Sequence, residues 1–82
     1  MSLKNRSLLI TGAARGVGEA IALVAAQEGA GVTAVDLNAQ DLDALLAKAT
    51  DSGLALQTIV ADISTAEGNA RAVSAAEARF GP

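Results

Sequence analysis

Short unbroken apolar runs alternate along the chain with longer stretches whose apolar residues recur every three or four positions. Ser7–Thr11 is a continuous apolar run, the pattern of a strand covered on both faces. A glycine-rich turn follows, Gly12–Gly18. Val17, Ile21, Val24 and Ala25 then stand at i, i+4, i+7 and i+8, which predicts a helix over Val17–Glu28 with that stripe buried. Gly29 supplies its stop. Val32–Asp36 reads as a second strand. Asn38, with Asp41 three residues on, is a good N-cap for a helix over Ala39–Ser52 that buries Leu42, Leu45, Leu46 and Ala49 and ends at Gly53. Leu56–Ala61 is the third strand, made less apolar by Gln57 and Thr58. Ser64-x-x-Glu67 reads as a capping box opening a third helix near Ala66–Phe80. That helix presents Ala70, Val73, Ala76 and Phe80, and Gly81-Pro82 stops it.

The order β-α-β-α-β-α predicts parallel strands joined by crossovers. The expected fold is α/β, the first portion of a Rossmann-type doubly wound parallel sheet with strand order 3-2-1. The first two helices share one face and the third lies on the other, which leaves Ser7–Thr11 at an edge. Twenty of the 82 residues are alanine and the only aromatic is Phe80, so the core is built from small side chains that each bury little area. The expectation is that residues 1–82 are the amino-terminal part of one longer single-domain chain. Alone, they would associate through the uncharged first strand.

Charge and composition remove whole classes of function. Net charge is −3 without a Lys or Arg cluster, so neither nucleic acid nor an anionic membrane is an expected partner. The absence of cysteine excludes a disulfide scaffold and a thiolate metal site. Histidine, tyrosine and tryptophan are absent too, so the commonest general base and metal ligand and the phenolic acid are missing. No catalytic residue and no metal ligand is assigned. Met1–Ser7 carries Lys4 and Arg6, but no apolar segment of signal-peptide type follows, and a cytoplasmic location is expected.

In an open α/β sheet, ligands sit beyond the carboxyl ends of the strands. After the first strand, Gly12, Gly16 and Gly18 lie between a strand and a helix start. Glycines there let a pyrophosphate approach the backbone, and the helix amino terminus offers it free N–H groups. A tight strand-to-helix turn without a ligand would use the same glycines. A P-loop is excluded, because no Gly-Lys-Ser/Thr follows, and the usual G-x-G-x-x-G register fails at Ile21. Asp36 ends the second strand eighteen residues beyond Gly18, where a carboxylate can accept from both hydroxyls of an adenosine ribose and repel a 2′-phosphate. An aspartate capping the Asp36-Leu37-Asn38 turn is the competing reading. Asp62, followed by Ile63, ends the third strand, where it could accept from an adenine amino group with Ile63 against the ring. On position alone, a loop aspartate preceding a Ser64 cap is the favoured reading.

The segment T-G-A-A-R-G-V-G resembles the T-G-x-x-x-G-x-G cofactor motif of the short-chain dehydrogenases/reductases. The resemblance runs from L-L-I-T-G through V-D-L and A-D-I-S to R-F-G-P. It implies an oxidoreductase that moves hydride between a nicotinamide cofactor and a small-molecule alcohol or carbonyl substrate, and a homo-oligomer in the full-length form. By position, Gly12, Gly16 and Gly18 form the phosphate turn, with Arg15 and Val17 inside it. Asp36 is the NAD-selecting carboxylate with Leu37 beside the adenine, and Asp62 and Ile63 match the adenine-contacting pair. Arg15 argues for NADP, because a basic residue before the second glycine often accompanies it in the family. Asp36 argues for NAD and is fixed where the 2′-phosphate would lie, so NAD is expected ahead of NADP. The family's N-N-A-G strand, catalytic serine and Tyr-x-x-x-Lys pair have no counterpart here, and Lys4 and Lys48 stand alone. The alternative is a non-catalytic dinucleotide-binding module or an isolated Rossmann fragment.

Overall fold

The computed structural model describes residues 2–81. Six elements follow in the predicted order: β1 (Ser7–Thr11), α1 (Gly16–Gln27), β2 (Gly31–Asp36), α2 (Ala39–Asp51), β3 (Leu56–Val60) and α3 (Ala66–Phe80). The three strands are parallel. The sheet runs β1-β2-β3 with β2 central; the expected 3-2-1 counts from the opposite edge and has the same neighbour pairs. Ser7 pairs with Gly31, Thr11 with Val35 and Asp36 with Val60. All three strands therefore finish at nearly the same level, and the residues after them share one edge.

Alternation along each strand sends side chains to opposite faces. One face carries Leu8, Ile10, Val32, Ala34 and Leu56, packed against Ala22, Ala25 and Ala26 of α1 and Leu42, Leu45 and Ala49 of α2. The other carries Leu9, Val35 and Ile59 under Ala72 of α3. On this second face Gln57 Nε2 donates to Thr33 Oγ1 and to the Ala75 carbonyl, each at 2.9 Å. Gln57, one of the two polar residues in the third strand, thus ties β3 to β2 and α3, and buried Thr33 keeps a partner.

Three sequence expectations are corrected. Of the expected α1 stripe only Ala25 is buried: Val17, Ile21 and Val24 are exposed, and Ala22 and Ala26 join Ala25 against the sheet. Alanine lets the helix backbone approach the strands closely, which the larger branched residues would prevent. The α3 stripe shifts in the same way. Gly68, Ala72 and Ala76 are buried, whereas Ala70 and Val73 face outward. Finally, Thr65 and not Ser64 caps α3, its Oγ1 accepting from Gly68 N–H at 2.9 Å. Ser64 instead donates to Asp62 through its backbone N–H and its hydroxyl. Gly81 takes φ +82 after α3, and Pro82 lies outside the described residues.

Candidate cofactor site

The strand ends converge first through the backbone. The Ala13 N–H donates to the Val35 carbonyl at 3.2 Å, and the Ala14 N–H donates to Asp36 Oδ2 at 3.1 Å. The turn after β1 is thereby laced to the end of β2. Gly12 and Gly16 adopt φ of +63 and +62, the left-handed region where a side chain is strained. A Cβ at either position would meet no protein atom within 4 Å, so the demand there is conformational and the space beside the turn is open. Gly18 differs. It has ordinary helical φ, but a Cβ would collide with the Gly12 carbonyl, 2.8 Å from its carbon. Its missing side chain is what lets α1 start against the turn.

The three helix starts are not equivalent. Asn38 Oδ1 accepts from Asp41 N–H at the start of α2, and Thr65 caps α3, but no side chain caps α1 at Arg15. The donors at that end of α1 and the positive end of its dipole remain available to an anion.

Asp36 is the hub of the edge. Its Oδ2 accepts from Ala14 N–H, and its Oδ1 accepts from the N–H groups of Leu37 at 2.7 Å and Asn38 at 3.1 Å. These bonds hold its carboxyl below the ordinary carboxylate value. The Ala14 N–H contributes most, partial burial opposes it, and the other two N–H groups and the Arg15 charge add to it. Both readings of Asp36 meet here: it caps its own turn and faces the glycine turn. Asp62 is exposed, and its carboxyl is also lowered, chiefly by the Ser64 hydroxyl and then by the Ser64 N–H. Both of those bonds fall on Oδ1, leaving Oδ2 without a hydrogen bond among the described residues. Asn69 Nδ2 donates to the Ile63 carbonyl at 2.6 Å and fixes the loop after β3.

Five of the expected residues line one cleft of about 240 Å³: Gly12, Asp36, Leu37, Asp62 and Ile63. Val35, Ala61 and Ser64 complete it, and none of the three was anticipated as a site residue. Leu37 is 66% and Ile63 39% exposed, so each offers apolar surface at the rim. Arg15, Gly16, Val17 and Gly18 lie outside this cleft, nearer the start of α1. Arg15 is largely exposed, its Nε 3.3 Å from Asp41 Oδ2. Val17 is 76% exposed at the same helix start. Sequence reasoning also missed Gly68, where a Cβ would lie 2.7 Å from the Asp62 carbonyl carbon. A glycine early in a helix, six residues after a strand-end aspartate, is the only signal that could have marked it.

The donor set suits a dinucleotide. An apolar slot between Leu37 and Ile63 fits a flat ring, carboxylates at its rim fit hydroxyl and amino donors, and an uncapped helix start beside open space fits a pyrophosphate. The fold is a parallel α/β unit of Rossmann type with a cleft at the carboxyl ends of its strands. The sequence profile described as short chain dehydrogenase matches residues 6–82, and the chain belongs to that family. Members of the family bind a nicotinamide dinucleotide. Among its relatives, D-threitol dehydrogenase of Mycolicibacterium smegmatis is 39% identical over 79 residues, covering 96% of this chain and 30% of that protein. The apo-form glucose dehydrogenase of Caenorhabditis elegans superposes with a TM-score of 0.93 at 28% identity, over 99% of this chain and 35% of that one. A short-chain dehydrogenase/reductase of unknown function from the same nematode, solved with cofactor, gives a TM-score of 0.91 at 30% identity, over 95% of this chain and 30% of that one. The chain therefore spans about a third of the length of the relatives it matches. No helix among the described residues is long and apolar enough to cross a membrane.

Proposed function

We propose that these residues form the adenosine-binding half of an NAD-dependent oxidoreductase acting on an alcohol or carbonyl substrate, and that they belong to a longer chain. The observation that carries this reading is the single cleft that gathers Gly12, Asp36, Leu37, Asp62 and Ile63. When bound, the dinucleotide supplies the hydride acceptor or donor. The chain's own residues bind and orient it. Leu37 and Ile63 flank the adenine, and Asp62 accepts from its amino group through the Oδ2 that Ser64 leaves unoccupied. A carboxylate offers about four lone-pair directions. Backbone N–H groups use three at Asp36, which leaves one direction, on Oδ2, for a single ribose hydroxyl and not for both.

The preference for NAD follows from charge. The N–H groups around Asp36 keep it ionised, and a 2′-phosphate carrying about −1.5 to −2 would sit beside that fixed negative charge. Arg15 opposes this preference, but its side chain is 82% exposed and already paired with Asp41. The test is a titration of NAD and NADP against the natural protein and Asp36→Ala. The parent is expected to favour NAD, and Asp36→Ala to narrow the difference at least tenfold, a change of about 1.4 kcal/mol. A parent that binds NADP more tightly than NAD overturns the assignment.

A further inference from the structure

Arg15 is the only one of the six Lys and Arg residues that lies in the turn after β1. Its ion-pair partner is not Asp36, the carboxylate of the proposed ribose site. It pairs instead with Asp41, at 3.3 Å from Nε to Oδ2, and no Arg15–Asp36 ion pair forms among the described residues. Asp41 is held for that contact. It sits in the first turn of α2, its N–H donates to Asn38 Oδ1 at 3.0 Å, and the Asn38 N–H donates to Asp36 Oδ1 at 3.1 Å. Asp36, Asn38, Asp41 and Arg15 thus form a chain of contacts running from the end of β2, through the start of α2, back to the glycine turn. Asp41 is about one-third exposed and Arg15 mostly exposed, so the pair is held lightly and can exchange.

We propose that Asp41 is a positioning residue for cofactor selection: it occupies the Arg15 guanidinium and keeps it from serving a 2′-phosphate. The inference rests on the reading of Asp36 as the ribose carboxylate. A 2′-phosphate entering the site would meet the Asp36 carboxylate and a cation already neutralised by Asp41. With Asp41 uncharged, the same cation faces the phosphate unpaired. Asp41 does not line the cleft that holds Asp36, and it acts through Arg15.

The experiment titrates NAD and NADP against the natural protein, Asp41→Asn, Asp41→Glu and the double variant Asp41→Asn with Arg15→Gln. Asp41→Asn is expected to tighten NADP relative to NAD about three- to fivefold, the scale of an exposed ion pair. Asp41→Glu keeps the parental ratio, and the double variant loses the gain. A merely structural role for Asp41 would weaken both dinucleotides together and leave the ratio unmoved. An unchanged ratio in Asp41→Asn, or a gain that survives the loss of Arg15, overturns this inference and leaves the proposed function standing. Failure of the parent to bind either dinucleotide overturns both.

Discussion

The amino ends of α2 and α3 are closed by side chains, and that of α1 is not. Asn38 and Thr65 each spend an oxygen on the first turn of their helix, while Arg15, in the equivalent extended conformation at φ −149 and ψ 162, offers none. All three helices start just beyond the same edge of the sheet, so the difference does not come from topology. It comes from the turn. Where a helix start has only to be stable, a polar side chain satisfies its donors. At α1 no side chain does so, and glycines shape the backbone in place of a cap. On the proposed function, these are the donors a pyrophosphate would take.

The largest expected effect separates the two kinds of glycine in that turn. Gly18→Ala places a Cβ against the Gly12 carbonyl and is expected to destabilise the protein by about 3 kcal/mol. Gly16→Ala meets no atom and incurs only left-handed strain, about 1–2 kcal/mol. Denaturant midpoints of the two variants compare them directly. If Gly18→Ala is no worse than Gly16→Ala, close packing of α1 on the turn is not what requires glycine at 18.

A middle-sized effect tests the caps. Asn38→Ala and Thr65→Ala should each lower stability by about 1 kcal/mol, since each orphans a first-turn donor. Arg15→Ala removes no cap and should stay within about 0.5 kcal/mol of the parent. Equal losses at all three positions would erase the contrast between the helix starts.

The smallest effect is one of pH. The folded-state pKa of Asp36 is lowered, so the stability it contributes is fully present above its ordinary value of 3.8 and is lost as pH falls through the folded value. The stability difference between the parent and Asp36→Asn should therefore shrink from about pH 6 to about pH 3, by less than about 1 kcal/mol because the carboxylate is only partly shielded. Thermal scans of both proteins across that range measure it. A difference that widens on acidification would mean that the Ala14, Leu37 and Asn38 donors do not favour the ionised form.

Much of this arrangement is written in the order of elements. Alternation of apolar runs and helical spacing gives the parallel sheet, and the residues after each run give the edge where Gly12, Asp36 and Asp62 meet. The α2 stripe is legible because its large apolar residues, Leu42 and Leu45, are also its buried ones. In α1 the two properties part company. Its β-branched residues Val17, Ile21 and Val24 point outward and Ala22, Ala25 and Ala26 inward, and periodicity weighted by hydrophobicity follows mostly the wrong side. The α3 cap is displaced by one residue because Ser64 and Thr65 are both good caps, and only the competing bond from Ser64 to Asp62 decides between them. Asp41 is legible as part of the α2 start, but its pairing with Arg15 is not, since that partner is 26 residues away in a turn that no periodicity links to α2.

The two residues between the first glycine and Arg15 look like the free letters of the motif, yet Ala13 is fully buried and Ala14 is 3% exposed. They form the floor of the turn, resting on the same cluster that α1 and α2 cover. A larger side chain at either would have to open that cluster, and both N–H groups are already committed to β2. The turn's room for divergence is therefore confined to residues 15 and 17, whose side chains stand clear of the floor. On the proposed function, a lineage descending from this sequence can retune the phosphate side of its site at Arg15 and through the neighbouring carboxylates Asp36 and Asp41. The path between the glycines stays the size of a methyl group.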